Sequence, residues 1–198
     1  MAISSSLADP VPTRPALTVA VIGSARLTPP DPRCVLAEQT GAAIAAAGWA
    51  VMTGGYGGLM EVASRAAAQA GGTVIGLPMR GWSALTPNRW NHELRWSDTY
   101  PERLAHLLAA DAIVVLDGGI GTLSEATVAW AALQTEPAAA DLIFLGPDWP
   151  PVLRSITDHL VIDDRDLAHV TVCADPHQVI AHIANNRPGR PRAAGPRG

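Results

Sequence analysis

The sequence predicts an α/β fold in which helices cover both faces of a parallel β-sheet, giving a three-layer sandwich. Short apolar segments alternate along the chain with longer stretches of helical pattern, as in folds built from successive β-α-β units. The apolar segments are continuous, which is typical of strands that are buried on both faces. Ala, Val, Leu and Ile supply most of the apolar residues, and there is a single Phe, which favours helices packed on a sheet over an aromatic-rich β-sandwich.

The strands are predicted from apolar runs that end at turn-forming residues: Leu17–Ile22, Trp49–Met52, Thr73–Leu77, Ala112–Leu116, Leu142–Leu145 and Val170–Val172. The helices are predicted between them: Arg33–Ala47, Leu59–Ala70, Pro101–Ala110, Thr122–Thr135, residues 151–161 and Pro176–Asn185. Gly48 and Gly71 follow the first two helices, and glycine commonly ends a helix. Residues 78–97 contain prolines and tryptophans without a clear period, and we expect them to be irregular.

One domain is predicted over residues 17–186, because no internal repeat or linker divides this range. Residues 1–16 and 187–198 are predicted to be disordered tails. The second tail combines Arg, Pro and Gly and offers nothing to bury. Its arginines either contact an anionic partner or are simply solvated.

The chain has no Lys, so all 14 of its basic residues are Arg. A pyridoxal-phosphate enzyme needs a Lys for its Schiff base, and a Walker-type phosphate loop needs one after its glycines. The sequence therefore excludes a pyridoxal-phosphate enzyme and a protein with a Walker-type phosphate loop. The formal net charge of −4 argues against nucleic acid as a partner.

Location and metal binding are constrained by what the sequence lacks. No uncharged apolar run approaches the ~20 residues that span a membrane, and the N-terminal residues do not have the pattern of a secretory signal. We expect a cytoplasmic protein without membrane association. Cys34 and Cys173 lie far apart, so neither a disulfide framework nor a metal site is expected.

Three predicted strands end in glycine-containing turns that precede helices. These turns contain Gly23 and Ser24; Gly54, Gly55 and Gly58; and Gly118, Gly119, Gly121 and Thr122. The carboxyl ends of parallel strands meet at one edge of a sheet, where glycines and free helix N-terminal amides can bind an anion. The sequence therefore predicts a phosphate site at this edge, although such turns also use glycine for steric reasons alone.

The turns do not have the usual dinucleotide fingerprint, because the first strand is not followed by Gly-x-Gly-x-x-Gly and the second does not end in an acidic residue. Dependence on NAD or FAD is therefore not expected. Thr122 and Glu125 have the spacing of a capping box, so Glu125 either caps its own helix or stands beside a bound sugar. Arg103 is either a solvated or paired surface charge or part of the site.

Four residues of the irregular stretch are candidate contacts for a ligand. Arg80 and Arg89 follow the third strand closely enough to close over a ligand. Trp90 and Trp96 either stack on a base or cover the core or a subunit contact.

Three motifs together resemble the Lonely Guy (LOG) family of cytokinin riboside 5'-monophosphate phosphoribohydrolases and its bacterial relatives, which are often labelled lysine decarboxylases. The motifs are Gly54-Gly-Tyr-Gly-Gly-Leu-Met60, Ala70-Gly-Gly-Thr-Val-Ile-Gly76 and Asp117-Gly-Gly-Ile-Gly-Thr-Leu-Ser-Glu125. The resemblance extends over residues 17–186, and the segments Pro87–Trp90 and Trp130–Thr135 are similar to a bacterial subgroup. It implies a Rossmann-like fold.

The resemblance also implies a set of site residues. Glu125 is implied to be catalytic, together with Arg103 of the pair Glu102-Arg103. Phosphate and nucleotide binding is implied for Gly23, Ser24, Gly54, Gly55, Gly58, Met60, Gly118, Gly119, Gly121 and Thr122. Two departures stand out: Asp117 replaces the proline of the family turn, and Arg103 lies one residue closer to that turn than in well-known members.

The implied activity is hydrolysis of the N-glycosidic bond of a purine nucleoside 5'-monophosphate similar to AMP, without a cofactor and in a homodimer. The apolar helix from Ala126 to Leu133 is either a dimer contact or an ordinary core helix. A protein that binds a nucleotide or the molybdenum cofactor without catalysis is the alternative, since carriers in related families have similar glycine turns. The decarboxylase label is rejected by the absence of Lys.

Overall fold

The computed structural model describes residues 17–136 and 140–187, which form seven strands and seven helices. The strands are β1 (Thr18–Ile22), β2 (Ala50–Thr53), β3 (Val74–Gly76), β4 (Glu93–Leu94), β5 (Ala112–Val115), β6 (Asp141–Leu145) and β7 (Val170–Cys173). The helices are α1 (Arg33–Ala46), α2 (Leu59–Gln69), α3 (Tyr100–Leu108), α4 (Ile120–Thr135), α5 (Trp149–His159), α6 (Asp164–Leu167) and α7 (Pro176–Asn186).

The strands form one sheet in the order β4-β3-β2-β1-β5-β6-β7, and every pair of neighbours is parallel. Side chains that alternate along β1 enter two separate apolar clusters. Val19 and Val21 pack in the layer of α1, α2 and α7, whereas Ala20 and Ile22 pack in the layer of α3, α4 and α5. Because a strand sends successive side chains to opposite faces, a continuous apolar strand fills both layers. The predicted α/β three-layer fold is confirmed.

The order of the strands reverses between β1 and β5. Strands β2, β3 and β4 extend the sheet on one side of β1, and β5, β6 and β7 extend it on the other. The two connections that leave β1 and β5 therefore diverge to opposite faces and open a crevice at the carboxyl ends of these strands. All three glycine turns follow β2, β1 and β5, which are adjacent strands.

Two short elements were not predicted, and one predicted tail boundary is wrong. Strand β4 lies in the stretch expected to be irregular; it has two residues, both exposed. Helix α6 has four residues and no buried side chain, so neither element carries a hydrophobic period. Arg187 belongs to the predicted disordered tail, but this residue is buried in the structure, and its Nε donates to Asp141 Oδ2 at 3.0 Å. The rest of that tail and residues 1–16 lie outside the described residues.

Among the described residues, no helix has the length and apolar character needed to cross a membrane. The longest helix, α4, has 16 residues, whereas a spanning helix needs about 20.

Candidate functional site

The three glycine turns are joined by backbone hydrogen bonds. The amide of Ser24 donates to the carbonyl of Asp117 at 2.9 Å, and the amide of Leu59 donates to the carbonyl of Ser24 at 2.9 Å. Residue 24 thus connects the turn after β5 with the first residue of α2. The convergence predicted from the sequence is present in the structure.

Gly58 permits the close approach of two of these turns. It has φ +71° and ψ −145°, and a β-carbon at this position would lie 2.2 Å from the Ser24 carbonyl oxygen. This backbone region is essentially restricted to glycine. Gly58 therefore fixes the distance between the turn after β2 and the turn after β1.

A cavity of about 240 Å³ opens where the turns meet. Eight of the residues predicted for the site line it: Gly23, Ser24, Met60, Arg103, Gly119, Gly121, Thr122 and Glu125. Arg26, Trp82, Tyr100 and Ile120 also contribute to its wall. The cavity is large enough for the phosphate and sugar of a nucleotide.

The N-terminus of α4 forms one end of this cavity. Gly119 is its N-cap, and no side chain accepts a hydrogen bond there. The Leu123 amide donates to the Gly119 carbonyl at 3.0 Å. The amides of Ile120, Gly121 and Thr122 precede it, in the first turn of the helix, where backbone donors have no acceptor within the helix. Such amides, with the helix dipole, favour an anion.

The capping box considered for Thr122 and Glu125 is not formed, because the helix begins two residues before Thr122. Glu125 instead points to Arg103, whose Nη1 donates to Glu125 Oε1 at 2.5 Å. Both side chains are buried, with relative exposures of 6% for Arg103 and 9% for Glu125. The carboxylate is thus free of the helix backbone and is oriented across the cavity.

Arg103 is fixed by contacts with several elements. Its Nε donates to the Leu77 carbonyl at 2.8 Å, and its guanidinium lies 5.5 Å from the centre of the Trp82 ring. A β-carbon on Gly54 would lie 2.6 Å from Arg103 Nη2, so glycine at position 54 makes room for the guanidinium. An arginine held in this way keeps Glu125 in one orientation.

The start of α3 explains why Arg103 faces the cavity despite its spacing. Thr99 caps the helix by accepting from the Glu102 amide at 3.3 Å, and Glu102 Oε2 accepts from the Asp98 amide at 2.8 Å. These bonds hold the Glu102 side chain at the exposed start of α3. Arg103, the next residue, therefore lies on the buried face of the helix with Leu107. Arg103 therefore points into the cavity although it lies one residue closer to the turn after β5 than the resemblance implies.

The sequence pattern that defines the SLOG cluster4 family matches residues 16–135. The chain belongs to the SLOG cluster4 family. A cytokinin riboside 5'-monophosphate phosphoribohydrolase of Mycobacterium tuberculosis is 39% identical over 98 residues, which cover 48% of this chain and 52% of that protein. The chain thus matches about half the length of this curated relative.

Solved structures with the same fold include two that bind or carry the molybdenum cofactor. The molybdenum cofactor binding protein of Rippkaea orientalis has a TM-score of 0.69 and 23% identity, covering 85% of this chain and 96% of that one. The molybdenum cofactor carrier protein of Chlamydomonas reinhardtii has a TM-score of 0.69 and 25% identity, covering 86% and 97%. These likenesses support the Rossmann-like fold of this SLOG chain.

Four predicted binding glycines lie beside the cavity and do not line it. Gly54 and Gly58 have the packing roles described above. The Gly55 amide donates to Thr53 Oγ1 at 3.0 Å, so this donor already has an acceptor. Gly118 packs against the Thr122 side chain and lines a neighbouring cavity. Their contribution to ligand binding remains a prediction.

The aromatic residues that line the cavity differ from those considered in the sequence. Trp82 and Tyr100 line it, with ring centres 6.5 Å apart, whereas Trp90 and Trp96 do not. Arg89 lies 4.6 Å from the Trp90 ring centre and Arg80 lies 5.6 Å from that of Trp96. The two arginines are therefore placed on neighbouring rings outside the cavity wall.

The second cavity, of about 330 Å³, lies on the other side of the turn after β5 and contains Asp117, Asp148, Arg26 and Arg33 in its wall. Asp117 lines this cavity and not the one that holds Glu125. Burial raises the pKa of Asp117, the nearby Asp148 raises it further, and Arg33 lowers it in part. The acidic residue that replaces the family proline thus faces away from the Arg103–Glu125 cavity.

We expect Asp117→Asn to raise the thermal midpoint at pH 7. Because the pKa of Asp117 is raised in the folded protein, the folded state binds this proton more tightly than the unfolded chain, and the charged carboxylate opposes folding at neutral pH. The advantage of Asn should shrink as the pH falls toward the ordinary value of 3.8. Differential scanning calorimetry between pH 7 and 4 measures it.

Asp158→Asn is the matched control, because it removes the same charge from an exposed position of α5. A gain from Asp117→Asn that is absent at pH 7, or that grows on acidification, would show that the Asp117 carboxylate does not oppose folding.

Proposed function

We propose that this SLOG protein hydrolyses the N-glycosidic bond of a purine nucleoside 5'-monophosphate. One observation carries the proposal: a buried carboxylate, Glu125, is held by Arg103 about one turn from the open N-terminus of α4 in the same cavity. The 5'-phosphate would bind to the amides of that terminus, with Ser24 beside it. The ribose would then lie next to Glu125. The name of the Mycobacterium tuberculosis relative supports the same activity.

The reaction breaks the bond between the anomeric carbon and the base nitrogen and forms a bond from the same carbon to water. The departing base takes the electron pair and a proton, while the ribose develops oxocarbenium character. Glu125 would stabilise that positive charge and accept a proton from the attacking water. Once Glu125 has returned this proton to solvent, one water has supplied the hydroxyl of the sugar and the proton of the base. Arg103 would keep the carboxylate aimed at this carbon. Phosphate binding remote from the reacting bond would position the sugar.

Purified protein incubated with AMP and with N6-isopentenyl-AMP tests the proposal. We expect free base and ribose 5-phosphate in equal amounts, measured by chromatography. Absence of base from either nucleotide and from other nucleoside monophosphates would contradict it. N6-isopentenyl-AMP is included because the relative is named for a cytokinin riboside monophosphate. The side chains of Trp82, Tyr100 and Met60 in the cavity wall also offer apolar surface to a purine.

Binding without catalysis is the second candidate. Its support is the likeness to the Chlamydomonas reinhardtii molybdenum cofactor carrier protein over 86% of this chain, together with Asp117 in place of the family proline. Tight binding of a nucleotide or of the molybdenum cofactor, with no release of base, is the result that this candidate predicts.

The proposed location for either function is the cytoplasm. Cys34 and Cys173 are free and buried, which is consistent with this location.

A homodimer formed through the exposed side of α4 is part of the proposal. The buried side of this helix, with Ala126, Ala129 and Leu133, packs in its own core. Glu125 is the one charged residue among Ile120–Thr135, so the exposed side is uncharged, and Ile120 is 83% exposed. An uncharged helix face suits a self-complementary interface.

We expect Ala131→Glu to convert the dimer to a monomer, because Ala131 is on the exposed side of α4 and a buried unpaired charge is costly. Light scattering coupled to size-exclusion chromatography measures the mass. Ala181→Glu places the same charge on the exposed side of α7 and should leave the mass unchanged. A monomeric wild type, or a dimer that persists in Ala131→Glu, would rule out this interface.

A further inference from the structure

The cavity that holds Glu125 has two cationic side chains in its wall, Arg26 and Arg103. The charge of Arg103 is offset by Glu125 at 2.5 Å. The exposed Arg26 side chain makes no hydrogen bond or ion pair with the residues that the structure describes. Arg26 is therefore the cation of this wall whose charge is not already matched.

Arg26 lies over the N-terminus of α4. Its Nη2 is 3.3 Å from the position that a β-carbon on Gly119 would occupy, and Gly119 is the N-cap of the helix. Its backbone amide donates to Ser24 Oγ at 3.1 Å, which fixes the start of the side chain in the turn after β1. The guanidinium therefore lies against the N-cap residue of α4, the helix that begins with Ile120, Gly121 and Thr122.

Arg26 also lines the second cavity, so it stands at the boundary between the two. The other arginine of that cavity, Arg33, is bound to Asp31 through Nε–Oδ1 at 2.9 Å and Nη2–Oδ2 at 2.8 Å. Asp117 and Asp148 line the same cavity. Among the described residues, Arg26 is therefore the arginine of these two cavity walls that is not bound to a carboxylate.

We propose that Arg26 binds the 5'-phosphate of the substrate and makes the site selective for a phosphorylated nucleotide over the nucleoside. This inference rests on the proposed function, because it assumes that the phosphate occupies the α4 terminus. A guanidinium donates two parallel hydrogen bonds to phosphate oxygens. In a chain without Lys, Arg26 supplies the positive charge that the helix amides alone do not.

Arg26→Ala, titrated with ribose 5-phosphate and with adenosine by isothermal calorimetry, tests the inference. A hydrogen bond to a charged group contributes enough that its loss weakens binding by about tenfold or more. We expect that loss for ribose 5-phosphate and less than about twofold change for adenosine, and a larger loss at low salt than at high salt. Arg26→Lys should recover part of the affinity.

Arg33→Ala is the matched control, because it removes an equal charge from the second cavity without touching the α4 terminus, and it should change the affinity for ribose 5-phosphate by less than about threefold. Equal affinity of wild type and Arg26→Ala for ribose 5-phosphate, or an equal loss for adenosine, would overturn the inference.

Base release by the wild type is measured separately from this binding. A protein that binds ribose 5-phosphate through Arg26 yet releases no base contradicts the hydrolase and leaves this inference standing. A wild type that releases base but does not bind ribose 5-phosphate overturns this inference and leaves the hydrolase standing.

Discussion

Glu125→Gln should lower the rate of base release from a nucleoside 5'-monophosphate by about 10²- to 10⁴-fold, the range that one positioned acid-base group supplies. In the proposed reaction the carboxylate stabilises charge on the sugar and accepts a proton from water, and an amide would do neither. The Gln oxygen can still accept from Arg103 Nη1, so the guanidinium keeps a partner. Single-turnover chromatography of released base measures the loss.

Affinity for ribose 5-phosphate should change little in this variant, because the proposed phosphate site is the α4 terminus and not the carboxylate. Glu38→Gln is the matched control, since Glu38 is exposed on α1 and its replacement should leave both rate and affinity unchanged. Turnover retained in Glu125→Gln would show that Glu125 is not the acid-base group. Loss of ribose 5-phosphate affinity together with the rate would assign Glu125 to binding.

Gly58→Ala should lower the free energy of unfolding by about 2–6 kcal/mol, the sum of the penalty for a backbone region restricted to glycine and of steric overpacking. The new β-carbon would lie 2.2 Å from the Ser24 carbonyl oxygen and 2.6 Å from the Ala25 α-carbon. Backbone must therefore move, and it is the backbone that positions Ser24. Urea denaturation measures the stability loss, and calorimetry with ribose 5-phosphate measures the accompanying loss of affinity.

Gly71→Ala is the control that separates the backbone penalty of a positive φ from the steric clash of the new β-carbon. Gly71 has φ +79° and no atom within 4 Å of the position of its missing β-carbon. This control should lose about 1–2 kcal/mol from the backbone penalty alone and keep its affinity for ribose 5-phosphate. Equal losses in the two variants would mean that the contact between the turns after β1 and β2 is not tight.

The sequence was sufficient to predict six of the seven strands and eight of the residues that line the cavity, because both follow from local pattern and chain order. Buried strands are continuous apolar runs, and turns at the carboxyl ends of adjacent strands meet at one edge. The partner of Glu125 could not be read from spacing: Thr122 and Glu125 have a capping-box pattern, yet Gly119 caps the helix. The position of a helix start depends on the approach of the preceding turn, which local sequence does not encode.

Arg26, Trp82 and Tyr100 were missed because their positions depend on contacts distant in sequence. Trp82 belongs to the stretch without period, and the Trp82 ring reaches the cavity beside Tyr56 and Tyr100, with ring centres 6.0 Å and 6.5 Å away. For Arg26 there was a signal: the turn after β1 leads directly to it, and the chain has no Lys to supply a phosphate cation. Its proximity to Gly119 arises only when β1 and β5 pair.

A crystal structure of Glu125→Gln with AMP bound tests the central claim most directly. We expect phosphate oxygens within hydrogen-bond distance of the Gly121 and Thr122 amides, with the anomeric carbon of the ribose against residue 125. A phosphate bound away from the α4 terminus, or a ribose on the far side of Arg26 in the second cavity, would contradict it.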